Sequence, residues 1–520
     1  MKLGRAVLGL VALLIAGGIV YAVVRDQPKD YTDNAEHYKY GSIGTEPGVS
    51  LFSPVGGRLP PEWVFKVLPQ VCTFMPSYER LGLIYEAETD GPDRGELKGL
   101  PVGISQRRRL GSDLIGVNCA FCHTGTYRTD SHSQPIVVPG MPSQQTDVQQ
   151  LFRYIFECVR SSDFTTENVI REISKAGGPS GFFDRLMYRL LIPATRSRVA
   201  ELEGKLSVLA GDRIPRPGPG RLDTLTPAKA VEVGWDLEQR LARYGLADLV
   251  GNMDFSPTWN LEKHKGMQMH WDGNLGKVDE AILSAVLAVG GKPQTVDNTR
   301  LERVKRFMFA LPAPKYPFQI DERLADAGKI VFDNTDDKDN GCARCHEGAN
   351  AGRVTPIEIL KTDRYRLDTF TREFSISLPT AMNRNYARSE YSFTTFRKTK
   401  GYVNVLLDGI WARAPYLHNG SVPSLRNLLQ PVPCRPRVFH RGSDVYDPEN
   451  VGFESWAEYD PTCPPQSGGQ GGSPPATAPN GAKLFRFDTS LPGNSNSGHV
   501  WGTTLCDADK TALLEYLKRL

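Results

Sequence analysis

Hydrophobic residues recur at helical spacing in several separate stretches of the chain, while strand-like alternation is scarce. In "DVQQLFRYIFECV" (147–159), Leu151, Phe152, Ile155 and Val159 fall on one face of a helical period, and "SRVAELEGKLSVLA" (197–210) follows a similar rule. "DERLADAGKIVF" (321–332) predicts a further helix. At the C-terminus, "CDADKTALLEYLKRL" predicts a helix capped by Asp507, with Leu513, Tyr516, Leu517 and Leu520 on its buried face. The pattern is mainly α, with few short strands.

The N-terminus is patterned differently. "MKLGRAVLGLVALLIAGGIVYAVVRD" places Lys2 and Arg5 before an unbroken apolar run from Ala6 to Val24, closed by Arg25. That run is close to the ~18 residues that span a bilayer and longer than most signal-peptide cores. "VYA" before Val23 leaves a cleavage site open, so residues 1–24 are expected to be a signal peptide or a membrane anchor. The positive residues belong on the cytoplasmic side. The body is then exported to the periplasmic side of the cytoplasmic membrane, anchored or cleaved and soluble.

From Gly290 to Pro317 the pattern changes from helix to the Pro-containing "LPAPKYPF", a domain boundary. It separates an N-terminal domain, 25–300, from a C-terminal one, 301–520. "QSGGQGGSPPATAPNG" (Gln466–Gly481) is low in complexity and predicts a mobile surface loop.

Composition adds loops to this picture: 50 glycines and 38 prolines in 520 residues exceed the roughly 12% of average usage. Charge subtracts a class of partner. Sixty-two basic residues against 59 acidic ones leave a net charge of +3, and no strong field calls for nucleic acid. The short run Arg107–Arg109 reads as a solvated loop.

Two pentapeptides carry the chemistry: "CAFCH" (Cys119–His123) and "CARCH" (Cys342–His346). The spacing C-x-x-C-H suits covalent haem attachment. Cys119 and Cys122, like Cys342 and Cys345, form thioethers to the haem vinyl groups, and His123 or His346 falls beneath the iron as its proximal ligand. A thioredoxin-type pair needs a βαβ setting that is not seen, and paired zinc motifs lie closer together. Two covalently bound haem c groups, each with its iron, are therefore expected. Of the other five cysteines, Cys434 and Cys463 in Pro-rich sequence are the expected disulfide, and at least one of Cys72, Cys158 and Cys506 stays unpaired.

Around these motifs the exported body resembles the di-haem cytochromes related to the bacterial rubber oxygenases, and more distantly the di-haem cytochrome c peroxidase and MauG group. The shared stretches are "HYKYGSIG" (37–44), "GVNCAFCHTGTYR", "MPSQQTD", "HWDGN" (270–274), "APYLHNGSVPSL" (414–425) and "GNSNSGHVWG" (493–502). The resemblance implies two cytochrome c-like haem domains with long irregular loops. It implies His499 as the distal ligand of haem 2, with Met382 as the rival, and His418 as a group near haem 2 that orients a propionate or tunes its potential. Asn419 stands where the peroxidases commonly have Asp. Trp271 matches a Trp thought to bridge the two haems. Rubber-cleaving members carry Phe before that Trp and another about fifteen residues on; here those places hold His270 and Val286. The distal side of haem 1 is accordingly more polar, against cleavage of a long apolar polymer.

The function this implies is a peroxidase-like or dioxygen-using oxidoreductase. Haem 1 is the reactive centre, with His270 and Trp271 as catalytic residues and Glu280 as a weaker proton group, and haem 2 transfers electrons. Its partners are a redox donor or acceptor, protein or small molecule, and peroxide or dioxygen. The alternative is a non-catalytic, membrane-anchored electron carrier in which His270, or else His132, closes haem 1 and both irons are six-coordinate.

Overall fold

A computed structural model describes residues 17, 27–46, 62–86, 99–109, 112–210, 213–291, 296–386, 393–463 and 473–520. Helices and irregular loops make up most of it, and the amphipathic stretches fold as helices. Helix Val148–Arg160 starts at Asp147, whose carboxylate accepts from the amide of Gln150 at 2.9 Å, a standard satisfaction of a free first-turn donor. It buries Leu151, Ile155 and Val159, while Phe152 packs at the edge, partly buried. The 197–210 stretch forms the end of helix Phe182–Lys205 and the short turn Ser207–Ala210. Asp321 caps helix Glu322–Asp333 in the same way as Asp147.

The C-terminal helix, Asp507–Leu517, buries Leu513, Tyr516 and Leu517. Asp507 is its first residue and not its cap. Cys506 takes the cap position without a side-chain hydrogen bond, and Asp507 and Asp509 instead place negative charge in the first turn, where the helix dipole favours it. This helix packs on Glu322–Asp333 at very close range. A Cβ on Gly328 would sit 1.9 Å from the carbonyl oxygen of Ala512, and the rings of Phe332 and Tyr516 are 5.1 Å apart. The pair leads the chain into Cys342, whose amide donates to Phe332 O at 3.2 Å.

Among the described residues the strands form one three-stranded and five two-stranded sheets. Arg107–Arg109 lies in the antiparallel hairpin Ile104–Arg109/Ser112–Val117 and not in a loop. Ile104, Ser105 and Gln106 are buried and Ile104 packs in the core, so the apolar start of the strand sets its place and the charged end emerges beside it. Arg108 meets Asp113 across the hairpin at 3.0 Å.

The segment 311–318 is irregular but packed: Leu311, Ala313, Tyr316 and Phe318 lie against a core that includes Trp411, Tyr446 and Leu517. Tyr127, Met141 and Trp259 belong to that same core. Buried charges also tie the two halves together. Arg128 pairs with Asp444 at 3.0 Å and Arg441 with Asp254 at 2.6 Å. Two disulfides close loops, Cys434–Cys463 as expected and Cys72–Cys158, leaving Cys506 exposed.

Within the low-complexity stretch, residues 466–472 lie outside the described residues. The remainder is pinned: Ala478 is buried and its amide donates to Ala482 O at 2.8 Å. The apolar segment 6–24 also lies outside the described residues, Gly17 apart. Among the described residues no helix is long and apolar enough to cross a membrane.

Candidate haem sites

Both pentapeptides hold their histidines in one way. Asn118 closes the first turn, its side-chain oxygen accepting from Ala120 N at 3.0 Å. A Cβ on Gly103, at φ +86°, would meet the Phe121 backbone at 2.2 Å, so only glycine lets the hairpin approach this turn. His123 Nδ1 lies 2.6 Å from Ser256 O, and His346 Nδ1 lies 2.7 Å from Val405 O. A carbonyl oxygen only accepts, so each Nδ1 carries the proton and each Nε2 keeps its lone pair for a metal. Burial pulls both imidazoles below their ordinary pKa, against the opposing pull of those carbonyls. Burial also raises the thiols, Cys119 to about 11 and Cys122 to about 12.

Opposite His346 stands His499. Their ring centres are 6.3 Å apart and their planes 43° apart. Two metal–imidazole bonds of about 2.0–2.1 Å, with half of each ring added, need ring centres roughly 6 Å apart. Both imidazoles thus fit a single iron. His499 is partly buried, and its Nδ1 is buried without a hydrogen-bond partner among the described residues. Burial first, then His346 and Arg435, push its pKa down to about 3, so the ring is neutral and able to donate a lone pair. Its backbone, at φ +45°, is held from both sides: its amide donates to Leu360 O at 2.9 Å and its carbonyl accepts from Arg435 at 2.9 Å. Arg435, itself buried, also donates to the carbonyls of Asn496 and Gly498, each at 2.7 Å. Met382 lies elsewhere, in the wall of the cavity beside the first motif and in a core with Leu225, Phe370 and Phe374.

His123 faces a different setting. Cys122 and His123 line a cavity of about 500 Å³, within the usual range for a ligand site, shared with His270, Trp271, Asn274, Ser284 and Arg366. Among the described residues no imidazole stacks opposite His123 as His499 does opposite His346; its ring neighbour is Phe255 at 6.5 Å. His270, at φ +65°, is held by Asn274, whose Oδ1 is 2.8 Å from His270 Nδ1 and whose amide donates to Asp272 at 3.2 Å. The amide nitrogen faces the carboxylate, so its oxygen faces His270 and fixes the proton on Nδ1. Nε2 is the open nitrogen, with Ser284 Oγ at 3.5 Å. Burial lowers the His270 pKa and Arg366 adds to this, against Asp272 and Asn274.

Trp271 lines this cavity and also packs with Tyr402, Ile357 and Leu360. Its backbone carbonyl accepts from Val403 N at 2.8 Å, two residues before the carbonyl that holds His346, and its indole N–H donates to Asp254 O at 2.8 Å. His418 is buried and stacked on Tyr402 at 3.9 Å.

Three expected residues fall outside the cavity wall. Val286 is buried in the core, and Ser284, Ala285 and Ala288 take the cavity side of its helix. His132 is exposed in the turn held by Asp130. Glu280 is engaged by the amides and hydroxyls of Thr394 and Thr395 at 2.6–3.0 Å. Burial works to raise its pKa, but those hydrogen bonds outweigh it and the net shift is downward; it stays a carboxylate instead of a proton carrier. Asn274, Ser284, Arg366, Tyr402 and Arg435 gave no periodic or spacing signal of their own, although Asn274 stands inside the quoted "HWDGN".

Residues 401–440 match the family model described as RoxA-like, cytochrome c-like. The match holds His418 and all of "APYLHNGSVPSL", and it supports kinship with the rubber-oxygenase-like cytochromes and a haem c cofactor. Two proteins of Sinorhizobium fredii (strain NBRC 101917 / NGR234), both described as uncharacterized, are similar. The protein y4iM is 32% identical over 221 residues, covering 38% of this chain and 49% of its own length. The protein y4iJ is 39% identical over 123 residues, 22% of this chain and 17% of its own length. The chain spans about half the length of the first and less of the second.

Proposed function

We propose that this chain is an exported di-haem c-type oxidoreductase in which the first haem reacts with peroxide or dioxygen and the second transfers electrons. The asymmetry between the two histidines carries the reading: His346 has His499 at a spacing suited to one shared iron, while His123 faces a cavity. Cys119 and Cys122, and Cys342 and Cys345, hold the two haems. An iron with a strong ligand on both sides suits electron transfer, and one with an open position binds and reduces oxygen species.

The chain's own residues then have distinct tasks. Ser256 and Val405 orient the proximal imidazoles. His270, kept neutral by burial and protonated at Nδ1 towards Asn274, offers Nε2 as acceptor for a proton on the oxygen species and returns it as cleavage proceeds. Trp271, between the cavity and the segment that holds His346, is the bridging side chain. Two disulfides support an oxidising compartment, hence the periplasmic side of the cytoplasmic membrane with residues 1–24 as leader or anchor. A donor protein or small molecule at haem 2 completes the assignment, and the domain division 25–300 and 301–520 assigns one haem to each half.

Purified full-length protein should hold two haems per chain by the pyridine haemochrome assay, resistant to acidified solvent, and its resting electron paramagnetic spectrum should show one high-spin and one low-spin iron. Two low-spin irons with no response to peroxide would replace this reading with the closed electron carrier.

A further inference from the structure

We infer that Arg366 is the anchor for a propionate carboxylate of the first haem. The inference rests on the haem assignment above and extends it to a residue outside every quoted stretch. Arg366 is 2% exposed and lines the cavity that His123 faces. Its Nε and Nη1 are buried without any hydrogen-bond partner. Among the described residues its one ion-pair contact is with Asp272 Oδ1, at a long 3.5 Å, and Asp272 is shared with the amide of Asn274. A buried guanidinium left with unmatched donors is costly, and such a group in a native site calls for an absent partner.

The other groups facing Arg366 do not supply the missing acceptor. His270 is engaged with Asn274, Lys398 is cationic and donates to Leu367 O, and the Tyr402 hydroxyl donates to Asp363 O. What fits the unmatched donors of Arg366, beside the shared carboxylate of Asp272, is an anionic, multi-acceptor group entering from the cavity. Carboxylates bind guanidinium through short charge-assisted bonds, and a haem carries two of them.

The test uses the two-haem protein, its haem count checked first, and measures both reduction potentials from pH 4 to pH 8. Arg366→Gln removes a cation that favours the reduced iron. The potential of one haem should fall by about one decade in its reduction equilibrium, 59 mV for one electron, and gain a pH dependence in this window, while both haems stay attached. Arg366→Lys should restore most of the potential. Unchanged potentials and pH profiles in Arg366→Gln, with both haems present, overturn the anchor and leave the haem reading standing; an unaltered protein lacking a haem at Cys119 and Cys122 overturns both. Where Arg366→Gln does not accumulate, resonance Raman spectra of the unaltered protein decide. A paired propionate gives a bending band that stays constant down to pH 4, and a band titrating at an ordinary carboxylic acid value of about 4–5 overturns the proposal.

Discussion

His270 Nδ1 lies 2.8 Å from Asn274 Oδ1, and the amide of Asn274 is turned to Asp272. This bond decides which nitrogen of His270 faces the cavity. His270→Ala should slow peroxide turnover by about 10²–10⁴-fold with the resting spectrum unchanged. Asn274→Leu frees the ring to exchange tautomers and should cost about tenfold by the scale of outer-shell partners. Stopped-flow reduction of peroxide measures both. If His270→Ala instead converts a low-spin iron to high-spin, His270 is a ligand.

His499→Ala should turn the low-spin iron high-spin, because His346 would lose the imidazole 6.3 Å away. Met382→Leu, on the wall of the cavity beside His123, should leave that low-spin signal intact. Loss of a sulfur-to-iron charge-transfer band in Met382→Leu would move the ligand assignment to Met382.

Acid should destabilise the protein in a defined window. His37 is fully buried, and burial first, then Arg303 against Asp30, lower its pKa to about 4 from about 6.5 in the unfolded chain. The unfolded state binds more protons between those values, so stability rises with pH there. The contribution of His37 is complete above about pH 6.5 and is lost as pH falls towards 4, approaching about 3 kcal/mol. His37→Gln should flatten part of the pH dependence measured by urea unfolding; an unaltered slope would mean the ring is protonated in the native state.

Gly328→Ala should separate the helices that precede the second motif. Its Cβ has 1.9 Å to the Ala512 carbonyl, and backbone on backbone cannot yield as a side chain would. A loss of about 1–3 kcal/mol is expected for such overpacking, together with lower haem occupancy at Cys342 and Cys345. Thermal unfolding and the haemochrome assay read the two effects separately, and wild-type stability would refute the close packing.

Cys72–Cys158 closes a separation of 86 residues. Cys72→Ser with Cys158→Ser should cost about 2–5 kcal/mol, read from denaturant midpoints. An unchanged midpoint would show the cross-link to be dispensable.

Local patterning was enough for features that depend on neighbours in the chain. The two C-x-x-C-H turns and the helices at Val148–Arg160 and Glu322–Asp333 are set by spacings of two to four residues, so the sequence alone determined them, whereas the cap it assigned to Asp507 fell to Cys506. The sequence also marked Cys434–Cys463, where both cysteines lie in the same Pro-rich region. Local reading failed where a distant contact wins. Arg107–Arg109 looks solvated, yet strand pairing with 112–114 captures it. Glu280 looks available for proton transfer until the Thr394–Thr395 loop returns to occupy it. Along the chain the resemblance implied His499 as the ligand and left Met382 as its rival, since either side chain can bind iron. Tertiary structure places them apart, with Leu360 and Arg435 holding the His499 backbone opposite His346 and the core around Phe370 drawing Met382 to the cavity beside His123. The physical reason is one of range: helical period and motif spacing are written in adjacent residues, whereas the partner of a ligand, a buried charge or a thiol is chosen by how non-local surfaces pack.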